Sequence, residues 1–160
     1  MLSRGTTTLR PAHISEAPVI ARMSRLLVEH GLRWRWTSRR VRQSIRDKET
    51  MVLVATTEGA LIGFAIMKFG DEESHLHLLA VEPRYRREGV ATEMLDWLET
   101  TCRTAGLQQI RLEVRAGNEP ARQFYSRQGY EHLGDIIGYY DGVESAAVLG
   151  KRLALSGTGP

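Results

Sequence analysis

Cysteine occurs once among these 160 residues, at Cys102, and lysine only at Lys48, Lys68 and Lys151. One cysteine excludes an internal disulfide, and with it a disulfide-stapled secreted scaffold. Cys102 falls inside a helix-periodic stretch and reads as a small core residue. No apolar run approaches the ~20 residues that a membrane-spanning helix needs. The opening stretch "MLSRGTTTLRPAH" lacks the apolar middle of a secretory signal. These absences set the expectation of a soluble cytoplasmic protein with no membrane partner. Two nucleotide signatures are missing as well. There is no G-x-G-x-x-G and no G-x-x-x-x-G-K-S/T, so a dinucleotide or nucleoside triphosphate site is disfavoured. His75 and His77 share a strand face, but no third ligand stands at metal spacing, and no metal is expected.

What is present is arginine. The net charge is only +3, too small by itself to argue for nucleic acid. Nearly all the positive charge is nevertheless guanidinium, the better bidentate partner for phosphate and carboxylate. A genome rich in arginine codons would give the same composition. The length suits a single domain with its own core. It is placed at residues 1–155, with a flexible tail at 156–160 ("SGTGP"). Periodicity and turn residues predict a strand at Thr7–Pro11. A helix follows, capped by Ser15 and carrying Val19, Met23, Leu26 and Leu27 towards Gly31. A second helix spans Ser38–Lys48, and strands follow at Thr50–Thr56, Ala60–Phe69 and His75–Val81. The clearest helix carries Val90, Met94, Trp97, Leu98, Thr101 and Ala105 on one face and ends at Gly106. A strand at Gln109–Val114 and a helix at Glu119–Gln128 come next. Strands Tyr130–Tyr140 and Val143–Leu153 flank Asp141-Gly142, a hairpin signal. Hairpins together with a strand–helix–strand crossover imply an α/β fold with a sheet of mixed direction.

The stretch "YRREGVATEML", preceded by Arg84, places two further arginines and one glycine at the mouth of the Val90 helix. A helix N-terminus offers free N–H groups and partial positive charge, which suits an anion. Gly89 would let a phosphate approach the backbone. Arg86 and Arg87 would add charge-assisted bonds, and Thr92 a hydroxyl. The plain alternative is a solvated basic loop. The stretch Arg86-Arg87-Glu88-Gly89-Val90-Ala91 fits Q/R-x-x-G-x-G/A. Here the chain resembles the GCN5-related N-acetyltransferases, the GNAT family, over nearly its whole length. That resemblance implies the GNAT fold, with a mixed, mostly antiparallel central sheet and about four flanking helices. It implies acetyl-CoA as acetyl donor, its pyrophosphate on the Arg86–Thr92 loop. It also implies that the backbone of Leu79, Ala80 and Val81 pairs with the pantetheine amides.

A second stretch, "IRLEVRAGNEPARQFYSRQGY", resembles the ribosomal-protein alanine N-acetyltransferase branch. There L-E-V-R is followed by N-x-x-A-x-x-x-Y and G-F/Y, met here by Leu112–Arg115, Asn118, Ala121, Tyr125 and Gly129-Tyr130. Acetyl transfer to an amine needs a base, because an ammonium has no lone pair, and a donor for the departing thiolate. By resemblance Glu113 is the base, Tyr125 the acid, and Asn118 holds the pantetheine arm. Plainer readings stand beside these. Glu113 alternates with arginines on a strand, Tyr125 adjoins Phe124, and Asn118 precedes a helix. His75 sits where other branches of the family place a base carboxylate, so it competes with Glu113.

"HGLRWRWTSRRVRQSIR" interleaves tryptophan with arginine. By resemblance Trp34 and Trp36 wall the acceptor site and the arginines draw acidic groups; otherwise this is a helix face with snorkelling arginines. Nucleic acid is disfavoured. Tyr139-Tyr140 before the hairpin turn resembles the segment with which N-terminal acetyltransferases hold a peptide backbone. The expected acceptor is therefore a protein N-terminal α-amine. A small amine (polyamine, amino acid or aminoglycoside) stays open, as does a non-catalytic acyl-CoA-binding regulatory module on the same fold. The chain is expected to be a monomer or homodimer.

Overall fold

Local sequence sets the turning points of the chain. The computed structural model describes residues 5–154; the expected tail at 156–160 lies outside the described residues. Glu58-Gly59 joins β2 (Thr50–Thr57) to β3 (Ala60–Phe69), with φ of 49° and 79°. Two successive left-handed residues are what a type I′ hairpin requires. Asp141-Gly142, with φ of 55° and 73°, turns β6 (Glu131–Tyr140) into β7 (Glu144–Arg152). Among the described residues, seven strands and four α-helices make an α/β fold with a mixed, mostly antiparallel sheet. None of these helices is long and apolar enough to cross a membrane.

Two compact units divide the chain. The first runs up to Lys68 and includes Leu78–Leu98; the second joins Phe69–His77 to the chain from Glu99 onward. In the first, β1 (Thr7–Pro11), β2, β3 and the end of β4 (Glu73–Val81) stand in that order. β1 pairs antiparallel with β2 from Thr7↔Thr57 to Pro11↔Leu53. Around them lie α1 (Ala17–Met23), α2 (Ser38–Arg46) and the start of α3 (Val90–Thr104). Thr37 caps α2 by accepting from Arg40 N. Ala17, Ile20, Ala21, Val41, Val54, Phe64 and Ile66 form a core with no exposure. Each large apolar side chain there contributes about 1.5–3 kcal/mol by burial.

The first helix departs from its expected course. Ser15 does not cap it: a 3₁₀ turn, Ile14–Glu16, comes first, and Glu16 accepts from His13 N at 2.8 Å. Val19 and Leu26 face solvent at 41% and 61% exposure. Met23 is buried as expected, but the main buried row is Ala17, Ile20, Ala21 and Ser24, a full i, i+3, i+4, i+7 set made mostly of small residues. Ser24–Val28 then widens into a π-helical turn, which rotates the later side chains off that row. In α3 the buried residues are Val90, Met94, Leu95, Leu98, Glu99 and Cys102, while Ala105 is exposed past the helix end. The expected face is right in its first turns and rotated by about one position later.

In the second unit the order is β4-β5-β7-β6, with β5 spanning Gln109–Arg115. β4 and β5 run parallel from Glu73↔Gln109 to Leu76↔Leu112. β7 is antiparallel to β5 and to β6. Ile110, Leu112 and Val114 are buried, which turns Arg111, Glu113 and Arg115 to the other face of β5. α4 (Glu119–Arg127) follows, with Pro120 in its first turn. β6 is irregular: its register shifts between His132 and Gly134 and again between Ile136 and Tyr140. Gly138 takes φ of 67° inside the second bulge. Bulges re-aim side chains, and this one sets the direction of Tyr139.

Candidate active site

The first unit carries the Arg86–Thr92 loop, the expected anion site. After β4 comes a 3₁₀ turn, Pro83–Tyr85, then four turn residues leading into α3. Arg87 and Gly89 are both left-handed, at φ of 66° and 83°. Gly89 O accepts the first bond of α3, from Glu93 N at 2.9 Å. The N–H groups of Val90, Ala91 and Thr92 therefore open the helix. A Cβ built on Gly89 would meet nothing within 4 Å. Glycine is needed there for its backbone conformation, and the space in front of it is open. Arg86, Arg87 and Glu88 are exposed. Arg86 Nε donates to Val81 O at 3.2 Å and ties the loop to the end of β4. Leu79, Ala80 and Val81 lie past the stretch in which β4 pairs with β5.

The second unit gathers the titratable groups. Glu113 on β5 accepts from His75 on β4, whose Nε2 is 2.9 Å from each carboxylate oxygen. Tyr139 on β6 donates its hydroxyl to Oε1 at 2.9 Å. Arg111 Nε stands 4.0 Å from Oε2. Burial pushes the Glu113 carboxyl up, but the bond and charge of His75, with Tyr139 and Arg111, outweigh it and hold it below the usual carboxylate value. The two competing base candidates are thus direct partners. Tyr139 joins them, which the sequence alone does not reveal, because the bulge that aims it leaves only Gly138 as a trace.

Tyr125, on α4, is 6% exposed. Its ring meets Phe124 and Tyr130 edge to face, at 5.1 and 5.4 Å between centroids. Burial pushes its hydroxyl pKa up, and the neighbouring Tyr140 adds to this. It is therefore protonated at neutral pH. Tyr130 in turn donates to Glu99 at 3.0 Å, and Glu99 also accepts from Lys151 at 2.9 Å. This second buried carboxylate lies on the apolar face of α3, where periodicity gives no hint of it. Asn118 is exposed and caps α4, accepting from Ala121 N at 3.3 Å. Cys102 is buried beside Ser74, and burial raises its thiol pKa, so it is an inert packing residue.

The tryptophan–arginine segment belongs to the first unit. Glu29, 8% exposed, accepts from Ser24 Oγ and from the backbone N–H groups of Arg35 and Trp36. Arg40 stacks on Trp36 at 3.6 Å and Arg25 on Trp34 at 5.1 Å. Trp36 is buried, so only Trp34 presents a partly open ring.

Residues 20–130 match the acetyltransferase (GNAT) family model. The chain belongs to the GNAT acetyltransferase family. It is 30% identical over 103 residues to the ribosomal protein bS18 alanine N-acetyltransferase of Escherichia coli, a match spanning 62% of this chain and 70% of that protein. It is 40% identical over 73 residues to YesJ, an uncharacterized N-acetyltransferase of Bacillus subtilis; that match spans only 41% of the relative's length. The solved structure of the Escherichia coli ribosomal-protein-S18-alanine N-acetyltransferase superposes with a TM-score of 0.82 at 22% identity, over 97% of this chain and 99% of that one. Arabidopsis thaliana NAA60, solved with acetyl-CoA, has a TM-score of 0.80 at 18% identity, over 92% and 98%. These two structures share the GNAT fold with this chain.

Proposed function

We propose that this GNAT chain transfers the acetyl group of acetyl-CoA to a primary amine, and that the acceptor is a protein N-terminal α-amine. The observation that carries this reading is the half-sunken cluster of Glu113, His75 and Tyr139, a ready acceptor for the proton an ammonium must lose. Family membership and the left-handed, open loop at Gly89 support acetyl-CoA as the donor. In the proposed binding mode the N–H groups of Val90, Ala91 and Thr92 hold the pyrophosphate and Arg87 adds charge. The backbone of Leu79, Ala80 and Val81 pairs with the pantetheine arm, and Asn118 is the proposed side-chain contact to that arm.

The reaction is direct. The ammonium gives one proton to the Glu113–His75 pair, and the amine lone pair attacks the thioester carbonyl. The C–N bond forms, the C–S bond breaks, and the nitrogen sheds a second proton. The thiolate takes a proton from the Tyr125 hydroxyl, which regains it from solvent. The α-amine acceptor is supported by the likeness to the bS18 alanine acetyltransferase and by the Tyr139-Tyr140 hairpin. Thiol release from acetyl-CoA, measured against a panel of peptides and small amines, tests the proposal. Turnover strongest on peptides is the expected result; turnover only on polyamines or aminoglycosides would move the acceptor to small amines. Tyr125→Phe should lower kcat about 10²-fold while leaving the Kd of acetyl-CoA within about threefold.

A further inference from the structure

The cluster around Glu113 leaves open which group holds the proton. Its place in catalysis rests on the acetyltransferase reading. His75 Nε2 lies 2.9 Å from both oxygens of one carboxylate. That is one N–H shared between two acceptors. His75, Tyr139 and Arg111 together outweigh burial and keep the Glu113 carboxyl ionised, and an ionised carboxylate has no hydrogen to give. Nε2 must carry it. In the neutral ring the lone pair then sits on Nδ1. The carboxylate already accepts from two donors, Tyr139 and His75 on Oε1 with His75 shared to Oε2, and Arg111 Nε stands 4.0 Å from Oε2. The Glu113 side chain is 8% exposed and that of His75 24%. The ring, more than the carboxylate, is open to an incoming group.

We propose that His75, through Nδ1, takes the proton from the acceptor ammonium, and that Glu113 is its positioning residue. Nδ1 gains the ammonium proton, the nitrogen keeps the electron pair it needs for attack, and the imidazolium later releases the proton to water. Glu113 fixes the tautomer through Nε2 and balances the positive ring. The charged and titratable surroundings are Glu73 and His77 on β4, Arg111 and Arg115 on β5, and Tyr139 and Tyr140 on β6. Arg111 is tied to Glu73 at 3.2 Å and the His77 ring centroid is 4.3 Å from that of His75. Tyr139 and Tyr140 meet edge to face at 4.9 Å.

The experiment uses the full chain with a peptide that the wild type acetylates. His75→Ala should lose about 10²–10³-fold in kcat/KM, and imidazole added to the buffer should restore at least about tenfold of that loss. Glu113→Gln keeps an acceptor for Nε2 but not the charge; it should lose about 10- to 10²-fold, with no effect of imidazole. Should His75→Ala fold poorly, His75→Gln carries the same expected loss. A Glu113→Gln loss larger than that of His75→Ala, with no imidazole rescue of the latter, would return the base role to the carboxylate. A His75→Ala chain within threefold of wild type would do the same. A wild type that binds acetyl-CoA but releases no thiol on any amine overturns the acetyltransferase reading, and this inference with it. Turnover with the wrong order of variants overturns the inference alone.

Discussion

Glu113 and Glu99 are sunk in the same unit of the molecule, and both accept from a tyrosine hydroxyl, Tyr139 at 2.9 Å and Tyr130 at 3.0 Å. Their other partners differ. Glu99 binds Lys151 at 2.9 Å, with Arg103 at 3.5 Å. Lysine and arginine hold their charge through the physiological range, so that pair is a fixed strut. Glu113 binds His75, and histidine is the side chain that changes charge near neutrality. One carboxylate is paired with a cation that only donates, the other with an imidazole that has a second ring nitrogen to offer. The comparison shows that a buried glutamate is read by its partner, not by its depth.

The largest predicted effect separates the two. Glu99→Ala removes the acceptor of the Tyr130 hydroxyl and the counter-charge of Lys151, which keeps the Gln128 carbonyl at 2.9 Å; it should cost about 3 kcal/mol, a fall in Tm of roughly 6–12 °C by calorimetry. Its folded fraction should keep kcat within about threefold. Glu113→Ala should show the reverse, at least a 10²-fold loss of kcat with a smaller fall in Tm. A Glu99→Ala chain that keeps its Tm would break the strut reading.

Gly89→Val comes next. A side chain at φ of 83° is strained by about 1–2 kcal/mol or more, and it would project into the open space before the helix. Calorimetric titration should show acetyl-CoA binding weakened by at least about tenfold. Arg84→Ala should change it less than threefold, because Arg84 only rests against Tyr85. The opposite ranking would make the loop a generic basic patch.

Tyr130→Phe should have a smaller effect. It removes one donor from Glu99 while Lys151 remains, costing about 1 kcal/mol in denaturant unfolding. It keeps the ring against Tyr125, so kcat should hold. A large kcat loss would show that the strut also positions the proposed acid.

The smallest effect is a pH slope. The Glu113 carboxyl is held below its unfolded value. Its ionisation therefore stabilises the fold above about pH 4.3, and that stability is lost as pH falls through the lowered folded pKa. Between pH 5 and 3 the Tm of Glu113→Gln should fall less steeply than that of the wild type. Parallel curves would deny the coupling.

The strand–loop–helix at Gly89 and the hairpin at Asp141-Gly142 were legible because glycine and turn chemistry leave marks in the sequence. The family motif carried Glu113, Tyr125 and Asn118 to named positions, and the fold puts Glu113 and Tyr125 in one unit. What the sequence hid follows from physics. Ala17, Ala21 and Ser24 bury a helix face on which Ile20 is the one bulky apolar residue to announce it. Glu99 is buried because partners distant along the chain satisfy it, Tyr130 being 31 and Lys151 52 residues away. Tyr139 reaches Glu113 only through a bulge whose register no local pattern specifies.

The measurement that bears most directly on the account is kcat/KM for thiol release from acetyl-CoA, taken side by side for the wild type, Glu113→Gln and Glu99→Gln at a temperature where all three are folded. The account predicts turnover by the wild type, at least a tenfold loss in Glu113→Gln, and a change within threefold in Glu99→Gln. Equal losses in the two variants, or a wild type that releases no thiol, would contradict it.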